Sequence, residues 1–346
     1  MKTIYSEQHR LRDAKTELHG GELVRPFEKP SRAEVVLRVV RESGLGEVLG
    51  PEWFSLDPVL AVHDADYVAF LQIAWQEWQD AGYAGEVIAN VWPARRMQSR
   101  VPRCIDGKVG YYAMAAETSI SEGTWAAALA SKDVALTGAK ALLKGECGVF
   151  SLCRPPGHHA ALDMYGGYCF LNNAAIAAQY LRDQGAVRVA ILDIDFHHGN
   201  GTQDIFYARD DVLFCSLHGH PEDAFPYFLG YADETGTGSG DGFNHNYPMP
   251  AGTLFAQWQE ALVDALARIV DFSPQYLVVS LGVDAFENDP ISFFKLTSSD
   301  FLTTGQMIGA IDIPTVFVMG GGYDVDEVGV NVVNVLKGFE VKSELG

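Results

Sequence analysis

The sequence predicts an α/β fold in which helices cover both faces of a central, mostly parallel β-sheet. From residue 148 onward, short runs of aliphatic residues alternate with longer segments of helical periodicity, the pattern of strand–helix–strand units. These runs are almost wholly apolar, as expected of strands buried on both faces. Clusters of Asp, His and Gly follow several runs, and such sheets bind ligands at the carboxyl ends of their strands.

The first half of the chain begins with a short strand predicted at residues 3–5. Ser31 and Glu34 match the S-x-x-E capping box, which predicts a helix that starts at Ser31 and ends near Gly44. A second helix is predicted after Asp64, because apolar residues there recur at helical spacing. These residues are Tyr67, Phe70, Leu71, Ala74 and Trp78.

Residues 82–103 are predicted to form an inserted loop. The segment has no clear period, contains two prolines, and is too long for an ordinary connection in a compact domain. Such a loop is either disordered or used at a site or a subunit contact, and Trp92 favours a contact between the subunits of a homodimer. Helices are predicted after it at 110–119 and 124–144, and Gly145 ends the second.

The second half alternates strands and helices. No internal repeat, low-complexity segment or composition shift marks a boundary, so residues 1–346 are predicted to form a single domain. Strands are predicted at 148–152, 187–195, 212–218, 276–282 and 315–319, and helices at 173–184, 254–272 and 300–311.

Composition restricts the classes of function. Among 346 residues, 45 acids against 25 Lys and Arg give a formal charge of −20, which repels nucleic acid and anionic membranes and attracts small cations. The N-terminus has no signal-type apolar region, and no run approaches transmembrane length. Five cysteines without a CxxC pair indicate neither a disulfide framework nor a thiolate zinc site. We therefore expect a cytoplasmic protein.

The end of the 187–195 strand predicts a metal site. Side chains two apart on a strand share a face, so Asp193, Asp195 and His197 project together. Two carboxylates and an imidazole suit a divalent cation of the zinc type. A single Asp at a strand end is more often a cap or turn former, but three such groups on one face, followed by His198, favour a bound cation.

Three further clusters follow predicted strands. They are RPPGHHA, with His158 and His159; LGVDAFENDP, with Asp284; and MGGGYD, with Tyr323. Taken singly, an adjacent histidine pair is more often structural than catalytic, and a tyrosine after a turn often only packs. Together, the clusters supply the ligands, the acid/base groups and the oxyanion donor that a mononuclear metal hydrolase needs.

The motifs RPPGHHA, LDIDFHHGNGTQDIFY, SLGVDAFENDP and GGGY resemble those of the zinc-dependent histone deacetylase family, which has the arginase-like fold. The resemblance implies one zinc per chain, leaving ferrous iron as an alternative. Its ligands would be Asp195, His197 and Asp284. The segment RDAKTELHGGELVRPFE and the inserted loop look most like bacterial acetylpolyamine amidohydrolases, which release acetate from N-acetylated diamines and polyamines.

The resemblance also implies roles for the residues around the metal. His158 and His159 would form an acid/base pair, with His158 bonded to Asp193, His159 bonded to Asn200, and Tyr323 donating to the oxyanion. The amide of Asn200, where some relatives have Asp, leaves His159 better suited to act as a general base at neutral pH. A potassium ion is implied beside the zinc, held by Asp193, Asp195, His197, Ser216 and Leu217.

Three functions remain open: an acetylpolyamine deacetylase, a lysine deacetylase acting on protein, and a catalytically silent binder of metal and acyl ligands. The presence of His158, His159 and Tyr323 together argues against the silent binder. Arginases share the fold but hold two manganese ions, in part through an aspartate where this chain has Gly282. A single metal is therefore predicted, which disfavours ureohydrolase activity.

Substrate choice is predicted from charge and from the tunnel wall. Asp106 and Glu117 follow the inserted loop and are candidates to bind the far ammonium of a small cationic substrate, although each is also a typical solvated surface acid. An aromatic wall would exclude water around a methylene chain. The resemblance assigns this wall to Phe27, Tyr168 and Phe225, with His19 standing where tyrosine can occur in relatives.

Overall fold

The computed structural model describes residues 1–343. Its strands are β1 (Lys2–Ile4), β2 (Glu17–His19), β3 (Glu22–Val24), β4 (Val48–Leu49), β5 (Gly148–Ser151), β6 (Val189–Asp193), β7 (Val212–Gly219), β8 (Asn244–Met249), β9 (Tyr276–Leu281) and β10 (Thr315–Met319). Its α-helices are α1 (Pro30–Ser43), α2 (Asp57–Leu60), α3 (Ala65–Asp80), α4 (Ile105–Tyr112), α5 (Thr124–Leu143), α6 (Asn173–Asp183), α7 (Asn200–Phe206), α8 (Phe255–Phe272), α9 (Ser298–Ala310) and α10 (Val328–Ser343).

A parallel sheet forms the centre of the molecule, in the order β4-β1-β5-β10-β9-β6-β7-β8. Every neighbouring pair is parallel, and β6 is an interior strand, with Ile191 paired to Phe214 on one side and Val278 on the other. One helical layer contains α2, α5, α6 and α7, and the opposite layer contains α1, α8, α9 and α10. The predicted α/β fold with a parallel sheet is confirmed.

The start of α1 differs from the prediction. The helix begins at Pro30, its N-cap residue is Lys29, and no side chain caps it, so the predicted capping box is wrong. Proline is well suited to the first helical position because its φ is already helical. Glu34 instead accepts a hydrogen bond from Nε of Arg10 at 2.7 Å. The predicted end is confirmed, since Gly44 has a left-handed φ of 69°.

The helix predicted at 110–119 is wrong in position. The helix found there, α4, ends at Tyr112, and the chain then runs irregularly between two isolated bridges, from Ala113 to Tyr165 and from Ile120 to Val87. These bridges use backbone groups that a helix would have satisfied internally. Tertiary pairing therefore overrides the local preference of this segment.

Several elements had no clear sequence signal. Strand β8 is a polar edge strand, NHNYPM, and has no apolar run. Helix α10 is rich in β-branched valines, which have a modest helix propensity, yet it packs against α9 and α1. The hairpin of β2 and β3 lies outside the main sheet and turns at two glycines with positive φ, Gly20 and Gly21.

The predicted loop at 82–103 is irregular in structure and well anchored at its start. Glu86 accepts hydrogen bonds from the backbone N–H groups of Lys15 and Thr16, at 2.9 and 3.1 Å. Further along, the indole of Trp92 donates to the carbonyl of Ala113 at 2.8 Å. The loop is therefore fixed beside the β2–β3 hairpin and α4. Within residues 1–343, no helix combines the length and hydropathy needed to cross a bilayer.

His63 gives the fold an expected acid sensitivity. Its Nδ1 lies 2.8 Å from the carbonyl of Ala161, and its Nε2 accepts from the N–H of Asn172 at 2.9 Å, so this buried imidazole is neutral. Burial lowers the pKa of His63 to about 4. Below pH 6.5 the histidine is protonated in the unfolded chain but stays neutral in the folded chain. The free energy of unfolding present above pH 6.5 therefore decreases as the pH falls toward 4.

We expect His63 to contribute about 3 kcal/mol to this loss, since one pKa unit corresponds to about 1.4 kcal/mol. The test is denaturant unfolding of the wild type and of His63→Gln between pH 7.5 and 4.5. The variant is expected to be less stable at pH 7.5 and to lose less free energy of unfolding on acidification. Equal losses in the two proteins would contradict the assignment.

Candidate active site

A cavity of about 370 Å³ opens at the carboxyl ends of the central strands. The loops that follow β5, β6, β7, β9 and β10 each contribute to its wall, as does the β2–β3 hairpin, because parallel strands all end at the same edge of the sheet. The residues that line this cavity include Glu17, His19, Glu117, His159, Tyr168, His197, Asp223, Phe225, Ile291 and Tyr323.

Asp195, His197 and Asp284 converge at the bottom of this cavity. One ligand atom from each lies within 4.8 Å of the others, and all three residues are buried. Nδ1 of His197 is 2.9 Å from Oδ2 of Asp284 and 3.3 Å from Oδ1 of Asp195. The strand predicted to reach residue 195 ends at Asp193, so Asp195 and His197 lie on the loop after β6 rather than on one strand face. Asp284 joins them from the loop after the neighbouring strand β9.

The two buried carboxylates, Asp195 and Asp284, favour a cation beside them. Burial, and after it the negative charge of Asp195, raises the pKa of Asp284 to about 8. Burial disfavours a charged imidazole, yet hydrogen bonds to Asp195 and Asp284 raise the pKa of His197 to about 10. Two adjacent buried carboxylates thus draw a positive charge into the site. Two carboxylate oxygens and one imidazole nitrogen fit a zinc-type ion.

Glycines allow the backbone to approach the carboxylates. The N–H of Gly321 donates to Oδ2 of Asp195 at 2.7 Å, and a Cβ on Gly321 would lie 2.5 Å from Oδ2 of Asp284. A Cβ on Gly282 would lie 2.1 Å from Oδ2 of Asp195. The position at which arginases carry a further metal-binding aspartate therefore has no room for a side chain in this packing, which agrees with the prediction of a single metal.

His158 and His159 lie beside the carboxylates, with ring centroids 4.0 Å apart. Nδ1 of His158 is 2.9 Å from Oδ2 of Asp193, and Nδ1 of His159 is 2.7 Å from Oδ1 of Asn200. Burial opposes charge on His158, but Asp193 and Asp195 raise its pKa to about 9. Burial and the neighbouring histidines hold the pKa of His159 well below its usual value, so that ring is neutral at pH 7.

Tyr323 follows the three glycines after β10 and lines the cavity. Its backbone N–H donates to Oδ2 of Asp289 at 2.7 Å. The guanidinium of Arg32 lies 4.5 Å from the centre of its ring and donates to the carbonyls of Gly320 and Gly322, at 2.8 and 2.6 Å. Sequence reasoning missed Arg32 and Asp289, because buried charges that act through the backbone have no local pattern.

A buried carboxylate connects the two sides of the site. Glu28 binds Arg154 through two hydrogen bonds, of 2.7 and 3.0 Å, and Arg32 through one of 3.2 Å. Burial alone would raise the pKa of Glu28, but the charges of Arg154, Arg32 and Arg12 lower it. Arg154 begins the RPPGHHA segment, which carries the two histidines, and Arg32 binds the glycine segment before Tyr323. Glu28 therefore links these two segments.

Of the predicted substrate-binding residues, four line the cavity: His19, Glu117, Tyr168 and Phe225. Phe27 is outside the described lining and packs against His19, with ring centroids 5.4 Å apart. Asp106 is also outside that lining, and accepts hydrogen bonds from the hydroxyl of Tyr83 at 2.7 Å and from the thiol of Cys104.

Glu17 lines the cavity but was not among the predicted residues. It is buried and accepts hydrogen bonds from the hydroxyl of Tyr168 at 2.7 Å and from the N–H of Phe27 at 3.0 Å. Burial raises the pKa of Glu17. Nothing about this acid in the sequence distinguished it from the other charged residues near it. Glu117 is bonded to the N–H of Gly167 at 2.8 Å, so two carboxylates are fixed at the wall.

The residues predicted for potassium lie around the end of β6. Ser216 is the register partner of Asp193 across β6 and β7, and its hydroxyl lies 2.8 Å from Nδ1 of His218. Leu217 follows on β7. The backbone of Asp195 and His197 runs just beyond, where their N–H groups donate to Oδ1 of Asp193 and of Asp195 respectively. The fold therefore pairs Asp193 with Ser216 and links Asp193, Asp195 and His197 through backbone hydrogen bonds.

Comparison with known proteins agrees with the geometry. The histone deacetylase domain model matches residues 26–339. Acetylpolyamine amidohydrolase from Mycoplana ramosa is 60% identical over 98% of this chain and 99% of the relative. Acetylpolyamine amidohydrolase 2 from Pseudomonas aeruginosa is 55% identical over the same shares of the two chains.

A solved structure shows the same fold. The crystal structure of acetylpolyamine aminohydrolase from Burkholderia pseudomallei superposes with a TM-score of 0.94 at 38% identity, covering 98% of each chain. The family predicted from the four motifs is thereby confirmed. We conclude that the chain belongs to the histone deacetylase family of hydrolases and has its arginase-like α/β fold.

Proposed function

We propose that this protein is a zinc-dependent amidohydrolase that removes acetyl groups from N-acetylated diamines and polyamines, releasing acetate and the free amine. The observation that carries the proposal is one cavity with a metal-type triad at its base and three carboxylates in its wall, Glu17, Glu117 and Asp223. Relatives named acetylpolyamine amidohydrolases support the same substrate class.

Asp195, His197 and Asp284 would hold the zinc, which when bound polarises the amide carbonyl and lowers the pKa of a water molecule. His159, which is neutral and oriented by Asn200, would accept the proton of the attacking water. His158, held by Asp193, would supply positive charge beside the developing oxyanion and a proton for the departing amine. Tyr323 would donate a hydrogen bond to that oxyanion.

We also propose a potassium ion behind the zinc ligands, supported by the pairing of Asp193 with Ser216 across the ends of β6 and β7, next to the loop that carries the zinc ligands. The residues predicted to hold this ion are Asp193, Asp195, His197, Ser216 and Leu217. A fixed monovalent cation there would offset part of the carboxylate charge.

The wall of the cavity suits a methylene chain that ends in an ammonium group. Tyr168 and Phe225 are aromatic and would exclude water, and the ring of Phe225 meets that of His159 edge-on at 5.0 Å. Glu17 and Glu117 would attract the distal cation.

We propose a homodimer that uses the 82–103 loop. Met97 is 73% exposed, and Val91 and Val101 are exposed beside it. The loop also encloses a second, mostly apolar cavity of about 240 Å³. Exposed apolar side chains around such a groove favour burial by a second copy of the chain.

The proposal is tested with acetylputrescine, acetylcadaverine, acetylspermidine and an acetyl-lysine peptide, each assayed for released acetate. We expect kcat/KM to be higher for the acetylated amines than for the peptide. A peptide that is hydrolysed as well as the best amine would favour the alternative, a protein lysine deacetylase. Absence of hydrolysis of all four substrates by the zinc-loaded protein would favour a binding function.

Glu117→Gln tests the selection of a cationic substrate. The glutamine oxygen can still accept the N–H of Gly167, so the change mainly removes the charge. We expect kcat/KM for acetylated diamines to fall several-fold, because a half-exposed ion pair contributes about 0 to 1 kcal/mol. A neutral acetamide of similar length should be almost unaffected. High salt should weaken the diamines in parallel.

Asp106→Asn is the matched control, because Asp106 is outside the described cavity lining and bonded to Tyr83. We expect it to leave diamine kinetics unchanged. Equal losses for charged and neutral substrates in Glu117→Gln, or an effect confined to Asp106→Asn, would show that Glu117 is not the selecting residue.

A further inference from the structure

Asp289 joins two loops of the cavity through backbone hydrogen bonds. Its Oδ2 accepts the N–H of Tyr323 at 2.7 Å, and its Oδ1 accepts the N–H of Ile291 at 3.1 Å. Tyr323 and Ile291 both line the cavity, one on the loop after β10 and the other on the loop after β9. The carboxylate itself is 6% exposed. One buried side chain thus fixes its own loop at Ile291 and joins that loop to the backbone of the predicted oxyanion donor.

The ring of Tyr323 depends on such contacts for its position. Within the part of the chain that the structure describes, its hydroxyl makes no hydrogen bond to protein, as expected of a group that must be free to meet a substrate. Arg32 supports the ring from one face at 4.5 Å and binds the carbonyls of Gly320 and Gly322. Asp289 adds the contact to the backbone of Tyr323 itself.

Three consecutive glycines precede Tyr323, and Gly322 has a φ of 121°, which L side chains rarely adopt. A glycine segment has more backbone freedom than any other sequence, so its conformation must be set by partners outside it. A charged acceptor bonded to two N–H groups is stronger than a neutral one. The tyrosine backbone is consequently held where the flexible segment ends.

We propose that Asp289 is a positioning residue that sets the place of the Tyr323 hydroxyl relative to the cavity wall. The inference deepens the proposed function, because it rests on Tyr323 being the oxyanion donor. Displacement of a donor by a fraction of an ångström weakens an interaction that matters most in the transition state. Asp289 therefore acts on kcat through Tyr323, without contact with the substrate.

The test is a double-mutant cycle of Asp289→Asn and Tyr323→Phe, with kcat and KM measured for the best acetylated amine. Asparagine has nearly the same volume but only one acceptor oxygen and no charge, so it can accept from the N–H of Tyr323 or from that of Ile291, but not from both. We expect Asp289→Asn alone to lower kcat by about tenfold, with KM changed less than about threefold. In the Tyr323→Phe background, the same change should have almost no further effect.

Asp133→Asn is the matched control. Its carboxylate also accepts a backbone N–H, that of Phe54 at 3.1 Å, but on α5, outside the described cavity lining. It should reduce the melting temperature without changing kcat. If Asp289→Asn does not fold, the cycle is run with Asp289→Ser, which keeps one acceptor oxygen in a smaller side chain.

The outcomes distinguish a failure of the positioning role of Asp289 from a failure of the catalytic role of Tyr323. Additive losses in the cycle, or a normal kcat in folded Asp289→Asn, would overturn the positioning role while leaving the proposed function intact. An unchanged kcat in Tyr323→Phe alone would instead overturn the catalytic role of Tyr323 on which the inference rests.

Discussion

Treatment with a chelator is expected to abolish acetate release, and one equivalent of zinc per chain is expected to restore it. Asp195, His197 and Asp284 lie within 4.8 Å of one another at the base of the cavity, and their charges call for a cation. A metal that polarises a carbonyl contributes several kcal/mol to the transition state, so we expect a loss of about 10³-fold or more. Metal analysis measures the number of zinc ions bound per chain. Titration of the apoprotein with zinc, followed by an assay of acetate release, measures how much activity the metal restores.

The stoichiometry is the sharper half of this prediction. A Cβ on Gly282 would lie 2.1 Å from Oδ2 of Asp195, so we expect activity to reach its plateau at one zinc per chain. Parallel titration with ferrous iron under anaerobic conditions compares the two candidate metals. Full activity in the chelated protein, or a plateau at two ions, would refute the mononuclear site. Asp284→Ala, which removes one carboxylate ligand, should weaken zinc binding when measured directly by metal competition.

Tyr323→Phe is expected to lower kcat by about 10²-fold or more with little change in KM. The substitution removes one hydroxyl from a ring whose other supports remain, since Asp289 binds the backbone and Arg32 lies against the ring face. Loss of a single oxyanion donor typically costs about 10²- to 10³-fold in kcat. A hydrogen bond that forms only in the transition state affects kcat and leaves ground-state binding almost unaltered.

Tyr168→Phe is the control for this effect. It removes another phenolic hydroxyl from the same cavity, but one that donates to Glu17 at 2.7 Å. We expect its main consequence in KM, because Glu17 then loses a buried partner. If Tyr323→Phe leaves kcat at the wild-type value, the tyrosine only packs against Arg32. If both variants lose kcat equally, the cavity tolerates neither change and the oxyanion role is not specific to Tyr323.

The sequence was most informative where a residue's environment follows from its near neighbours. The apolar strands were predicted because a strand buried on both faces is largely apolar, as β6 is from Val189 to Leu192. The histidine pair, Asp193 at the end of β6 and Asp195 just beyond it were found because short, unusual motifs place them at strand ends. Asp284 and Tyr323 were found in the same way, and the resemblance to the histone deacetylase family then assigned them roles as a zinc ligand and an oxyanion donor.

Local patterns failed where distant contacts determine the outcome. The irregular chain after Tyr112 is held by bridges to Tyr165 and Val87. The start of α1 follows from Pro30, with Glu34 bound to Arg10 rather than to the helix terminus. The backbone around residues 113 and 120 and the carboxylate of Glu34 could each have bonded within a local helix. Each instead bonds to a group far along the chain.

By itself, the sequence determined the α/β class, the family and the chemical types of the groups at the strand ends, because these depend on local periodicity and on short motifs. Only the tertiary structure decided which charges surround them. Glu17 lines the cavity, and Arg32 and Asp289 contact Tyr323 at its wall, although the three residues lie in three different segments that only folding brings together. Buried charges need partners, and those partners are set by three-dimensional proximity, which spacing along the chain does not encode.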